Sequence, residues 1–182
     1  MQWVVLSRRG KGNMRNRFYP TDYFTSTYVI DFEKLYNMGY RGVIFDVDNT
    51  LVEHDAPADD RAKELIARLK SIGYKVCFLS NNGEERVKMF NDTVDCQYIF
   101  KAGKPLAKGY KSAMELMGTS KEETFFVGDQ IFTDILGANN AGIRSILVQP
   151  IAKHEEIQIV LKRIPEKWIL KRYLKKYPLR EC

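Results

Sequence analysis

Asp46 and Asp48 end a run of apolar residues, GVIFDVD (42–48), and two carboxylates at a buried strand end repel one another and resist desolvation. Such a pair is worth holding where a cation and an anionic substrate balance it. Further along lie Ser80-Asn81-Asn82, then Lys104 in KAGKP, then Gly128-Asp129 and Asp134. Asp46 and Asp129 are natural oxygen ligands for Mg²⁺, a cation that keeps several waters and takes a substrate phosphate as a further ligand. Asp48 follows Asp46 by two, so both side chains leave the same face of an extended segment. One carboxylate can then attack phosphorus while the other serves the leaving oxygen, with the Ser80 hydroxyl, the Lys104 ammonium and the metal balancing the charge in transfer. Ser80 or Asp134 taken alone reads equally well as a cap or turn residue.

For these residues to meet, each must sit at the same end of one sheet. GVIFDVD, YKVCFLS (74–80), QYIF (97–100), TFFVGD (124–129) and RSILVQP (144–150) read as strands. Between them, residues 59–73 read as a helix with Ala62, Leu65, Ile66, Leu69 and Ile72 on one face, an Asp59 or Asp60 cap, and Gly73 at its end. EERVKMF reads as a short helix, as does TDILGANNAG, and a further helix runs from Pro105, in its first turn, to about Met117. Strands alternating with helices predict a doubly wound α/β fold, a parallel sheet flanked by helices over about residues 40–150. Ligands in such sheets gather beyond the carboxyl ends of the strands, where the polar residues above lie.

The chain has 182 residues, 45% hydrophobic and 29% charged, which suits one domain with a real core. Cys77, Cys96 and Cys182 are far apart with no C-x-x-C pair, which argues against a disulfide framework or a zinc site. His54 and His154 are isolated and carry no motif. The opening WVVL run is too short for a signal core, and Met14, just before RNRFYP, is an alternative start. Net charge is +6 and uneven: residues 8–17 hold five basic side chains (Arg8, Arg9, Lys11, Arg15, Arg17) and no acid, and residues 162–180 hold eight with one acid, Glu166. The body between is acidic, so a polyanionic neighbour is expected at the ends. The expected organisation is a basic lead-in (1–39), the α/β domain (40–150) and a basic amphipathic tail (151–182). In the tail, Pro165 is expected to open a helix on which Leu170, Tyr173, Leu174 and Tyr177 share a face, beside Lys171, Arg172, Lys175 and Lys176. That pattern reads as a membrane-surface helix or as one packed on its own domain with a solvated basic face; nucleic acid is the weaker reading, since no binding motif accompanies the charge.

The four chemistry-bearing segments, in this order, resemble the haloacid dehalogenase superfamily. D-V-D-N-T matches its first motif, Ser80 the second, Lys104 the third and G-D-Q-I-F-T-D (128–134) the fourth. The resemblance implies Asp46 as nucleophile and Mg²⁺ ligand, Asp48 as general acid–base with its main-chain carbonyl on the metal, and Thr50 orienting the loop. It further implies that Ser80, the Asn81 amide and Lys104 bind the phosphoryl group, that Asp129 completes the metal site, and that Asp134 supports it from behind. An Asp rather than a Thr at position 48 points to a phosphatase. The gaps from Asp48 to Ser80 and from Ser80 to Lys104 have no room for an inserted cap domain, so a large substrate, or closure by another copy, is expected. Segments including LSNNGEERV, KAGKP and GDQIFTDILGANNAG resemble the YqeG-like subclass IIIA phosphatases, related to phosphatidylglycerophosphate phosphatases. The implied activity is dephosphorylation of phosphatidylglycerophosphate at the cytosolic membrane face. The alternatives are a capless phosphatase of a soluble sugar or nucleotide phosphate, closed by oligomerisation, and a non-catalytic module for anionic lipid or RNA.

Overall fold

A computed structural model describes residues 16–152 and 157–177 and the short strands β1 (Trp3–Leu6) and β8 (Arg180–Glu181), with side chains described for residues 16–152 and 164–177. Arg8, Arg9, Lys11, Met14, Arg15, His154 and Cys182 lie outside the described residues, as do the side chains of Lys162 and Arg163. In chain order, β2 (Asp22–Phe24) and α1 (Phe32–Asn37) precede β3 (Gly42–Phe45), α2 (Asp60–Ile72), β4 (Lys75–Leu79), α3 (Glu84–Asn91) and β5 (Gln97–Ile99). Then come α4 (Ala107–Met117), β6 (Thr124–Gly128), α5 (Leu136–Ala141), β7 (Arg144–Val148) and α6 (Ile157–Lys176).

The strands lie in the order β5-β4-β3-β6-β7-β2-β1-β8. The first six are mutually parallel, and β1 runs antiparallel to both β2 and β8. The sheet therefore reaches beyond residues 40–150: the lead-in supplies β2, whose Tyr23 pairs with Leu147 of β7. The reason β2 stays in place is chemical, because Arg144 Nε donates to Asp22 Oδ2 at 2.7 Å and both side chains are buried. Three residues of strand are too short to announce themselves by alternation.

Both faces of the parallel sheet are covered, which is why its strands read as unbroken apolar runs. Val43, Phe45, Val76, Phe78, Phe125 and Val127 point to one layer, packed on α1, α2 and α3. Ile44, Cys77, Leu79 and Phe126 point to the other, under α4 and α5. Helix α2 is shaped by its ends and its stripe: Asp59 accepts the Ala62 N–H at 2.7 Å, Gly73 leaves the helix at φ 108°, and Ala62, Leu65, Ile66 and Leu69 are buried. Pro105 stands just before α4 rather than in its first turn, since Leu106 is the cap and the helix begins at Ala107.

The tail corrects one expectation outright. Pro165 does not open a helix but lies inside α6. A proline there forfeits one backbone hydrogen bond, and packing against the domain overrides that local preference. Tyr173 is fully buried with Tyr23, Ile131, Ile135 and Leu147, and Ile169, Leu170, Leu174 and Tyr177 pack around the same cluster. The Leu170/Tyr173/Leu174/Tyr177 face thus covers the sheet, and Lys171, Arg172, Lys175 and Lys176 are exposed.

Candidate active site

Each parallel strand stops at the same edge, and the loops that leave that edge carry the polar residues. Asp46 follows β3, and its N–H bonds to the Val127 carbonyl of the neighbouring strand at 2.9 Å, so the backbone is still held by the sheet where the first carboxylate emerges. The loop then turns sharply: Asn49 sits at φ 60°, a left-handed conformation that asparagine tolerates better than most residues. The lead-in pins this turn from outside, with Thr27 Oγ1 donating to the Thr50 carbonyl at 2.7 Å and the Tyr28 hydroxyl donating to the Leu51 carbonyl.

At the centre stands Lys104, buried, with Nζ 2.6 Å from Asp46 Oδ1 and 2.7 Å from Asp134 Oδ1. Its backbone is fixed by Asn81, whose side-chain oxygen accepts the Lys104 N–H at 2.7 Å and whose amide donates to the Lys104 carbonyl at 3.1 Å. Oxygens of Asp46, Asp129 and Asp134 lie within 4.8 Å of one another, all three carboxylates being buried. Thr50 Oγ1 reaches Asp129 Oδ1 at 3.4 Å and ties the first motif to the fourth. Burial acts to lower the Lys104 ammonium, but Asp134 and Asp46 outweigh it and hold the group well above the usual lysine range. Burial pushes the Asp46 carboxyl up, to about 7, against the pull of Lys104 and with a further push from Asp134. Three buried carboxylates around one ammonium leave an excess of negative charge with oxygen donors only, a set that fits a hard divalent cation.

Asp134 reaches this centre by way of two glycines. A Cβ on Gly128 would lie 2.5 Å from Asp134 Oδ2, so only glycine admits the carboxylate there. Oδ2 accepts the Gln130 N–H at 3.0 Å, and the backbone carrying Asp134 winds as one π-helical turn, Ile131–Ile135, before α5. The Tyr110 hydroxyl donates toward the Thr133 and Asp134 carbonyls at 3.0 and 3.1 Å, and a Cβ on Gly137 would collide with that ring.

Asp48 belongs to a second, adjoining group. Its Oδ1 accepts from Arg86 Nη2 at 2.7 Å, Arg86 Nε at 3.1 Å and the Asp55 N–H at 2.9 Å, and its Oδ2 accepts from Asn82 Nδ2 at 2.7 Å. His54 Nδ1 is 3.7 Å away. All four bonds are donated to Asp48, which acts only as an acceptor in them. The Asp48 side chain is not in the carboxylate cluster with Asp129. Ser80 is buried and its Oγ accepts the Asn82 N–H at 3.1 Å, which folds the second motif around the loop carrying Asn81.

Arg86, Asn82, His54 and Glu166 carried no role in the sequence reading. Asn82 lies in the loop before α3 and Arg86 in the first turn of that helix, so the fold rather than a sequence spacing brings both to Asp48. His54 and Glu166 had no sequence signal either. The Glu166 carboxylate is buried and accepts the main-chain N–H groups of Ile131 and Phe132 at 2.6 and 3.1 Å, closing the start of the turn that holds Asp134. Burial pushes the Cys77 thiol up to about 12 and the Cys96 thiol to about 11, away from the range of an activated thiolate.

The HAD-hydrolase-like sequence family matches residues 101–158. A Bacillus subtilis protein named "Probable phosphatase YqeG" is 38% identical over 158 residues, covering 86% of this chain and 92% of the relative. The phosphatidylglycerophosphate phosphatase 1 of Arabidopsis thaliana chloroplasts and mitochondria is 29% identical over 81% of this chain, a span that takes in 45% of the plant protein. Among solved structures, the cobalt-bound deoxy-D-mannose-octulosonate 8-phosphate phosphatase of Haemophilus influenzae superposes with a TM-score of 0.52 over 77% of this chain and 91% of its own, at 16% identity, a likeness of fold. With its sheet, its motif order and its match across most of the bacterial relative, the chain belongs to the haloacid dehalogenase-like phosphatases, in the branch that contains YqeG.

Proposed function

We propose that the protein is a Mg²⁺-dependent phosphomonoesterase that works through an aspartyl-phosphate on Asp46 and removes the terminal phosphate of phosphatidylglycerophosphate at the cytosolic membrane face. The observation that carries the chemistry is Lys104 held between Asp46 and Asp134 with Asp129 alongside, which joins an attacking carboxylate, a cation for phosphoryl oxygens and a set of metal ligands in one buried cluster. Asp46, Asp129 and the main-chain carbonyl of Asp48 would hold Mg²⁺, which supplies charge stabilisation to the phosphoryl oxygens. An Asp46 carboxylate oxygen attacks phosphorus as the ester P–O bond breaks, and Asp48 gives its proton to the departing alkoxide. Asp48, again a carboxylate, then takes a proton from water that attacks the acyl-phosphate, returning Asp46 and releasing inorganic phosphate. Lys104, Ser80 and the Asn81 N–H hold the phosphoryl oxygens, and Thr50 and Asp134 hold Asp129 and Lys104 in place.

Support for a lipid substrate comes from the relatives and from the open site. Only a loop, α2 and β4 lie between Asp48 and Ser80, and only α3 and β5 between Ser80 and Lys104, so no inserted domain covers the strand ends. Phosphate release from phosphatidylglycerophosphate in mixed vesicles, measured beside release from sugar and nucleotide monophosphates with Mg²⁺ and with chelator, tests both halves. The reading expects Mg²⁺-dependent turnover and a clear preference for the lipid. Faster hydrolysis of a soluble ester sinks the lipid assignment, and full activity in excess chelator sinks the metal site.

A further inference from the structure

We infer that the outward face of α6 is a docking surface for an anionic lipid bilayer, made of the pair Ile164 and Trp168 within a field of lysine and arginine. This inference rests on the lipid-substrate reading above, but the face involved is not the one the sequence pattern suggests. At a helical repeat of about 100° per residue, Glu166, Leu170, Tyr173 and Tyr177 fall on one side, and that side is spent on the protein. Ile164, Lys167, Trp168, Lys171, Arg172 and Lys175 fall on the other. There Trp168 is 74% exposed and Ile164 58%. They stand four residues apart and are therefore neighbours, not scattered apolar residues of the kind any surface carries.

Charge complementarity selects the occupant. From Ile164 to Tyr177 the one acid, Glu166, is buried against the Ile131 and Phe132 N–H groups, while five cations are exposed. The helix therefore shows solvent a purely cationic face with an apolar centre. Indole prefers the boundary between hydrocarbon and headgroups, and lysine and arginine reach anionic headgroups from the same level. No described helix is long and apolar enough to cross a membrane, so the contact is made from outside.

Position links this surface to the reaction. Glu166 meets residues that follow the carboxyl end of β6 by three and four, so Ile164 and Trp168, two residues to either side along the axis, lie at the end of the sheet where Asp46, Lys104 and Asp129 gather. Leu106, two residues after Lys104, is 68% exposed at that same end. A bilayer resting on Ile164 and Trp168 would therefore lie level with the strand ends whose loops carry Asp46, Lys104 and Asp129.

The test uses the full chain carrying W3F, which leaves Trp168 as the sole tryptophan. Vesicles of phosphatidylcholine alone are compared with vesicles containing phosphatidylglycerol, by Trp168 emission and by flotation. The expected result is a blue shift and co-flotation with the anionic vesicles only, both reversed by salt. Each cation near such a surface multiplies partitioning by about five, so K171Q/R172Q/K175Q should lower it about a hundredfold, and I164S/W168S (in the chain with Trp3) should lower it while keeping the salt dependence. A soluble phosphate ester hydrolysed equally by all variants shows that they are folded. Unshifted emission, or equal flotation of parent and variants, overturns the inference, as does capture of single-stranded RNA in place of vesicles. Binding to vesicles without hydrolysis of phosphatidylglycerophosphate upholds the docking face and removes the substrate reading. Hydrolysis of that lipid in detergent with no vesicle binding does the reverse.

Discussion

Glu166, from a helix at the far end of the chain, accepts the Ile131 N–H at 2.6 Å, two residues after Asp129 and three before Asp134. The contact makes the tail part of the turn that carries the carboxylate cluster. Glu166→Ala leaves the buried Ile131 N–H and the half-buried Phe132 N–H without that acceptor, a loss of about 1–3 kcal/mol. Because the loosened turn holds Asp129 and Asp134, Mg²⁺ affinity by titration calorimetry should fall at least several-fold. Glu166→Gln keeps an acceptor oxygen and should recover most of it. An unchanged affinity in Glu166→Ala, with only a lower Tm, would make the contact a purely structural clasp.

Asp46→Asn should abolish turnover, since an amide neither attacks phosphorus nor serves the cation as a charged ligand. Residual activity within tenfold of the parent would rule out the aspartyl-phosphate route. Asp48→Asn removes proton transfer in both half-reactions, help typically worth about 10²–10⁴-fold. A phosphoenzyme should then persist long enough to trap by rapid acid quench with labelled substrate. Prompt turnover with no trapped intermediate would reassign the proton donor.

Gly128→Ala should behave as a displaced Asp134. The new Cβ would sit 2.5 Å from Asp134 Oδ2 and 2.7 Å from a Phe126 ring carbon, so the carboxylate must leave its 2.7 Å contact with Lys104 or the strand must shift. Asp134→Asn tests the same contact without a clash. Both variants should lose at least about tenfold in kcat, because a misplaced charge in a catalytic site costs on that scale or more. Parent-like kcat in both would reduce Asp134 to a helix-start residue.

The carboxylate–lysine cluster was legible because its residues lie just beyond strand ends. A fully buried parallel strand reads as an apolar run, and the first polar residue after it, Asp46, Ser80 or Asp129, marks where the crevice must be. Arg86, Thr27 and Glu166 act at long range in sequence, and no periodicity says which loop a lone arginine, threonine or glutamate will meet. The tail shows the limit of pattern reading most directly. Leu170, Tyr173, Leu174 and Tyr177 do share a face, but amphipathicity alone does not say whether that face meets lipid or the protein's own sheet. Tyr23 and Leu147 decide it, and they lie on strands that the tail's own sequence knows nothing of. Pro165 misled for a related reason, because a local rule about helix starts was overridden by packing on either side of it.

The Asp22–Arg144 pair gives the last prediction, on stability rather than catalysis. Arg144 Nε lies 2.7 Å from Asp22 Oδ2, and the guanidinium also reaches the Tyr40 hydroxyl at 3.3 Å. Burial acts to lower the Arg144 guanidinium, but Asp22 and Tyr40 outweigh it and raise it above its ordinary value. The pair spans β2 and β7, so it fixes the lead-in to the sheet and, through Thr27 and Tyr28, steadies the loop after Asp48. Asp22→Ala strands a buried cation, a change that costs about 3–5 kcal/mol, or about 6–20 °C in Tm for a chain of this size. Replacing both partners with apolar residues, Asp22→Leu with Arg144→Met, removes the charge along with its partner and should cost much less. Calorimetric melting of the two variants decides the matter. If the double replacement melts as low as Asp22→Ala, the strand is held by the ion pair itself and not by avoidance of a lone buried charge.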